Sequence, residues 1–183
     1  MKAKHLALTM IVVLLFATGA IAETMTLTFS SVSVPGDAHT RAMQMFKMTL
    51  KKVSNDQMDV DVYHSGQLFS QEAEFAAVRR GTIDLVYTSA GWNAEFVPYL
   101  SMLGAVYTFS GYDHMTKVLN GKIGKKIFDD VAKATNARPL AAFYLGTRQL
   151  NLVEKVGPVR HPNDMKGVKL RTPGSPTWLA LGK

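Results

Sequence analysis

Met58-Asp-Val-Asp-Val-Tyr63, then His64-Ser-Gly66, Ser70-Gln-Glu-Ala-Glu-Phe-Ala-Ala-Val-Arg79 and Gly81-Thr-Ile-Asp-Leu-Val-Tyr-Thr88 form one run whose periodicity changes twice. Met58, Val60 and Val62 alternate with Asp59 and Asp61, a period of two that belongs to a strand with one apolar face. Ser65-Gly66 reads as a turn. From Ser70 the period becomes helical: Phe75 and Val78 face inward. Ser70 stands at the capping position, and Gln71, Glu72 and Glu74 fill the first turn, where the helix dipole favours acids. Gly81 ends that helix. Ile83 to Thr88, with Ile83, Leu85, Val86 and Tyr87, reads as a short strand buried on both faces, as in a parallel sheet.

Upstream the same alternation recurs. Met25 to Ser31 sets Leu27 and Phe29 against threonines, and a loop from Val32 to Asp37 carries Pro35-Gly36. Thr40 to Val53 has Met43, Phe46, Leu50 and Val53 at helical spacing with Lys47, Lys51 and Lys52 outside, and Asn55-Asp56 ends it. Strand, helix, strand, helix, strand is a doubly wound α/β unit. Downstream, Tyr112 to Leu119 and Ile123 to Ala134 read as helices joined at Gly121, and Arg138 to Leu145 as another strand. From Gly146 the texture changes to short strands and Pro/Gly turns, marking the crossing into a second lobe. A helix begins after Pro176, and a chain stopping at Lys183 within its first turns reads as the N-terminal portion of a longer protein. The expected organisation is a signal peptide over 1–22, lobe I over 23–145 and the start of an incomplete lobe II over 146–183.

The signal is read from Lys2, Lys4 and His5, the apolar stretch Leu6 to Ala17 and the small-x-small site Ala20-Ile21-Ala22. A spanning helix wants about 20 clean apolar residues, and this run is shorter. The chain has no cysteine, which excludes disulfides, thiolate catalysis and thiolate metal sites. The net charge of +7 falls by two, to +5, when Lys2 and Lys4 leave. The basic residues are dispersed, without aromatic interleaving, so nucleic acid is excluded as a partner and a mild field favouring anionic solutes remains. No Gly-x-Ser-x-Gly or phosphate loop occurs. Glu72 and Glu74, two apart on a helix, point to different faces, and Asp59 and Asp61 are explained by a solvated strand edge. The five histidines have no zinc spacing. No metal, cofactor or catalytic group is expected.

In an open α/β sheet ligands bind beyond the carboxyl ends of the strands. That places Thr88, Ser89 and Trp92 at the cleft, with Ser33 and His39 beyond the first strand within reach. Trp92 reads as a hydrophobic lid or as a core residue, and His39 equally as a polar helix-start residue. Arg148 follows a Gly-Thr step closing the apolar run Leu140 to Leu145. Arg171 ends the alternating segment Val168, Leu170. A guanidinium held between turns is a planar fork that matches a carboxylate with two parallel hydrogen bonds. The alternative for each is an internal ion pair. Arg79, Arg80, Arg138 and Arg160 read as solvated.

Asp164-Met-Lys-Gly167-Val-Lys-Leu-Arg171, preceded by Tyr144-Leu-Gly-Thr-Arg148, resembles the solute-binding proteins of TRAP transporters. So do Gly66-Gln-Leu-Phe69 and Gly81-Thr-Ile-Asp84, although the family usually has glycine where Phe69 stands and proline where Val106 stands. The resemblance covers most of residues 25–183. It implies a periplasmic binding protein-like two-lobe fold. It also implies that Arg171 grips the carboxylate of a small organic acid, with Arg148 adding a second bond and Trp92, Ser89 and Thr88 lining the other wall, which Ser33 reaches from the end of the first strand. The receptor would be periplasmic and monomeric when full length, and would deliver its ligand to TRAP permease membrane subunits. Alternatives are the receptor of another importer class, such as an ATP-driven one, and a secreted α/β hydrolase.

Overall fold

Strands β1 (Met25–Ser30), β2 (Met58–Tyr63) and β3 (Leu85–Val86) form a parallel sheet in the order β2-β1-β3. The computed structural model describes residues 23–147, 149–172 and 176–181. Met25 pairs with Met58 and Ser30 with Tyr63 on one side of β1, while Phe29 pairs with Leu85 on the other. Parallel neighbours need crossovers, and helices α1 (Ala38–Val53) and α2 (Gln71–Arg79) supply them. The alternation read from the sequence therefore becomes α/β layering. Phe29 of the central strand, Met43 of α1 and Val60 of β2 make one buried cluster, with Leu27, Leu50, Val62, Leu85 and Tyr87 packed around it. Each such side chain contributes about 1.5–3 kcal/mol when fully buried.

Two details of α1 depart from its apolar spacing. Phe46 lies at the margin, edge-on to Phe29 at 6.1 Å, and Val53 is 69 % exposed because its turn has run past the sheet. Asn55 and Asp56, with φ of 50° and 61°, reverse the chain there. Asp59 is more than a solvated edge residue. Lys47 Nζ lies 3.3 Å from its carboxylate and also donates to the Val60 carbonyl at 2.6 Å, fastening α1 to β2.

Ser70 occupies the N-cap of α2 without a side-chain cap bond; its carbonyl accepts from the Ala73 and Glu74 amides instead. Arg79, expected in solvent, stacks on the Phe96 ring at 3.7 Å and donates through Nε to the Thr135 carbonyl at 3.3 Å. Strand β3 is shorter than the expected Ile83 to Thr88. The Thr28 amide donates to the Asp84 carboxylate at 2.7 Å, so a side chain takes the place of a ladder bond where the strand would begin.

Beyond the sheet lie α3 (Ala90–Asn93), a 3-10 turn (Pro98–Gly104), α4 (Tyr112–Leu119) and α5 (Lys122–Thr135). Val97, Leu100 and Val131 form a second cluster that draws in Phe96, Leu103 and Ile127. Gly124 lets α4 and α5 meet, because a Cβ there would overlap the Leu119 carbonyl. The strand expected over 138–145 does not form. Its backbone finds no strand partner; instead the Asn120 side-chain amide donates to the Ala142 carbonyl and accepts from the Ala142 amide, both at 3.0 Å. Leu140, Phe143 and Leu145 stay 72, 71 and 63 % exposed. From Gly146 the described residues contain 3-10 turns, Glu154–Val156 and Pro162–Met165, and no strands. Helix α6 (Pro176–Leu181) packs on the turn Pro98–Gly104.

Candidate functional site

The loops after β1 and β2 are stitched together at the carboxyl end of the sheet. The Ser31 amide donates to the Tyr63 carbonyl, the Ser65 amide to the Ser33 carbonyl and the Gly66 amide to the Ser31 carbonyl, at 2.8, 2.8 and 3.1 Å. Ser65 and Gly66 adopt left-handed φ of 57° and 69°, which turns their amides toward the first loop. The Ser33 hydroxyl contacts both Ser31 Oγ (2.9 Å) and Thr40 Oγ1 (2.7 Å), and Thr40 donates to the Val34 carbonyl (2.8 Å). Ser33 is half-buried, whereas Ser31 and Thr40 are buried.

Beneath this loop the Ser30 hydroxyl donates to the Glu74 carboxylate at 2.8 Å. Glu74 is only 1 % exposed. Burial pushes its carboxyl above the usual range, partly offset by the Ser30 bond.

On the β3 side, Tyr87 packs against Phe29 at 5.0 Å, His39 at 5.2 Å and Phe143 at 6.3 Å. Burial raises the pKa of its phenol. Thr88 Oγ1 donates to the buried Asn93 side-chain oxygen at 3.2 Å. The Ser89 carbonyl opens α3 by accepting from the Trp92 and Asn93 amides at 3.1 and 3.3 Å. Trp92 is half-buried, so it is not a core residue.

Ser33, His39, Thr88, Ser89 and Trp92 thus follow the carboxyl ends of β1 and β3, with the His39–Tyr87 contact joining the start of α1 to the loop after β3. Arg171 lies exposed in an irregular segment. Among the described residues no hydrogen bond or ion pair links it to the others. Arg148 lies outside the described residues, as does the signal segment. Earlier in the same segment, the Asp164 carboxylate accepts from the Arg160 and His161 amides, both at 2.9 Å, and these bonds hold it below the usual carboxylate range.

Sequence reasoning missed Thr40, Glu74, Tyr87 and Asn93. Only the strand-end position of Tyr87 carried a signal; the others look like ordinary helix residues. The chemistry gathered here is hydroxyl, amide and aromatic. His64 Nδ1 lies 3.0 Å from Ser65 Oγ and His114 Nδ1 3.3 Å from Ser110 Oγ, but among the described residues no carboxylate orients either imidazole. None of those residues form a helix long and apolar enough to cross a membrane.

The parallel α/β sheet carries a polar and aromatic rim at its carboxyl ends, where open α/β sheets bind ligands. The chain belongs to the bacterial extracellular solute-binding proteins, family 7, which it matches over residues 29–183. It is 28 % identical over 185 residues to a solute-binding protein of Roseobacter denitrificans, covering 99 % of this chain and 56 % of the relative. It is 29 % identical to the C4-dicarboxylate-binding protein DctB of Bacillus subtilis over 143 residues, covering 78 % of this chain and 40 % of that one. The crystal structure of a TRAP periplasmic solute binding protein from Citrobacter koseri with bound D-glucuronate superposes with a TM-score of 0.77 at 27 % identity, covering 85 % of this chain and 52 % of that one. The chain spans about half the length of the curated relatives it matches. The α/β receptor fold expected from the sequence is the fold found.

Proposed function

We propose that this chain supplies the first lobe and the beginning of the second in an extracytoplasmic receptor. The receptor captures a small carboxylic acid and hands it to a TRAP-type permease. The family match over residues 29–183 carries the reading. Lobe I comprises residues 23–145, lobe II begins at Gly146, and residues 1–22 are removed on export to the periplasm. The receptor works as a monomer and binds without catalysing a reaction. Closure of two lobes around a hinge brings Arg171 over the rim formed by Ser33, Thr88, Ser89 and Trp92. Arg171 clamps the carboxylate bidentately and Arg148 adds one charge-assisted bond.

The test is a thermal-shift and calorimetry screen of the protein as naturally encoded, against small mono- and dicarboxylates, their amides and phosphate monoesters. A ligand that binds only the folded state raises its melting point. Acids are expected to do so and their amides not. Equal stabilisation by the amides would defeat the carboxylate reading. Stabilisation by the phosphate esters alone would replace it with another anion class.

A further inference from the structure

The hydroxyl hydrogens beyond β1 can be assigned from geometry. Thr40 Oγ1 lies 2.8 Å from the Val34 carbonyl oxygen, which can only accept, so Thr40 spends its one hydrogen there. Ser33 Oγ is 2.7 Å from Thr40 Oγ1, and Thr40 has no hydrogen left, so Ser33 donates. Ser31 Oγ, 2.9 Å from Ser33 Oγ, must then donate in its turn, and it accepts from the Ser33 amide at 3.1 Å. The relay runs one way, from Ser31 through Ser33 and Thr40 to Val34. Ser31 and Thr40 are 3 and 4 % exposed, so half-buried Ser33 is the opening of the relay to solvent. What it offers there is a lone pair and no hydrogen.

Thr88 repeats the arrangement at the end of β3. Its hydrogen goes to Asn93 Oδ1 at 3.2 Å, and the exposed hydroxyl keeps only acceptor capacity. The two sit beyond paired strands, with Ser30 opposite Val86, and the His39–Tyr87 contact ties the start of α1, just after the Ser33 loop, to the loop after β3. A carboxylate or keto oxygen meeting either site faces lone pair against lone pair. A hydroxyl supplies the missing hydrogen.

We infer that Ser33 and Thr88 determine specificity by accepting hydrogen bonds from the solute, which selects hydroxylated carboxylic acids over acids with only hydrogen or keto oxygen at the same carbons. The inference rests on the carboxylate reading above and assigns Thr40 as the positioning residue that keeps Ser33 an acceptor.

The experiment is calorimetry on the protein as naturally encoded, with matched sets: galactarate, adipate and neutral galactitol; 2-hydroxyglutarate, 2-oxoglutarate and glutarate. The hydroxylated acid should bind about ten-fold more tightly per hydroxyl read. Thr40→Val removes the acceptor for Ser33 and frees its hydrogen, so the preference for hydroxyl over keto should fall about ten-fold, while Thr40→Ser keeps it. Thr88→Val, at an exposed position, and Ser33→Ala should each narrow the margin between galactarate and adipate. Adipate or 2-oxoglutarate binding as tightly as its hydroxylated partner overturns the inference and leaves the carboxylate reading intact. So does a preference that none of the variants changes. Galactitol binding as tightly as galactarate, or no binding in either set, overturns the carboxylate reading and the inference with it.

Discussion

Arg171 and Glu74 carry opposite electrostatic problems. Arg171 is exposed and unpaired among the described residues, so its charge is available to a ligand. In the protein as naturally encoded, removing one partner of a desolvated charge pair costs about 3–5 kcal/mol, because the other is left unpaired. Arg171→Ala should therefore weaken binding of the acid by roughly two to four orders of magnitude. Arg171→Lys should restore only part, since an ammonium cannot form the planar fork. The amide analogue should bind wild type poorly and lose little more in Arg171→Ala. Additive losses would mean that the guanidinium does not meet the carboxylate.

Glu74 is buried with one hydroxyl donor. Its folded pKa lies above the unfolded value, so the folded state favours the neutral acid. The stability this gives is complete below the unfolded value, about 4.3, and is lost as pH rises through the folded one. Glu74→Gln keeps the acceptor for Ser30 and removes the titration. Its melting point relative to wild type should climb between pH 4 and pH 8; a flat difference would show that Glu74 does not resist ionisation.

Among the elements, α2 is the one whose packing is hardest to see from its own residues. Its last-turn Arg79 lies across Phe96, which belongs to the second cluster, and bonds the end of α5 at Thr135. That side chain joins the sheet core to the helical core. Losing a cation–π contact and a hydrogen bond costs about 1–2 kcal/mol, so Arg79→Ala should lower the unfolding free energy measured by denaturant titration by that amount. Arg80→Ala, at the exposed neighbouring position, should not. Equal effects would rule out the bridge. The segment 138–145 shows the converse. With no partner strand it is held at Ala142 by Asn120, one side chain doing for one residue what a ladder does for a whole strand.

At the scale of the whole molecule, Leu140, Phe143, Leu145, Leu150 and Val153 lie close together in sequence and are each at least half exposed. Exposed apolar side chains of this kind promote association. The 183-residue chain should therefore self-associate in a concentration-dependent way by sedimentation velocity, and Phe143→Ser with Leu145→Ser should reduce it. A monodisperse monomer at every concentration would show that the stretch is covered.

The sequence by itself determined the alternation of strands and helices from Met25 to Val86 and the two helices Tyr112–Leu119 and Lys122–Thr135, but not α3 or the turn Pro98–Gly104 between them. Those signals are periods of 2 and 3.6 within one segment, and they need no partner to be read. It also placed Ser33, Thr88, Ser89 and Trp92 at one end of a sheet, because parallel strands with helical crossovers leave all their carboxyl ends on the same side. Only the tertiary structure decided what depends on a second segment. Asp84 reaches back to Thr28 and shortens β3. Residues 138–145 have apolar strand character but, among the described residues, no strand beside them. Arg79 stacks on a ring 17 positions away, and Glu74 of α2 is buried against Ser30 of β1. The direction of the relay through Ser33 depends on a carbonyl and a threonine that meet only once the loop has closed on α1. A hydrogen bond has a donor and an acceptor, and which atom is which follows from all the neighbours together.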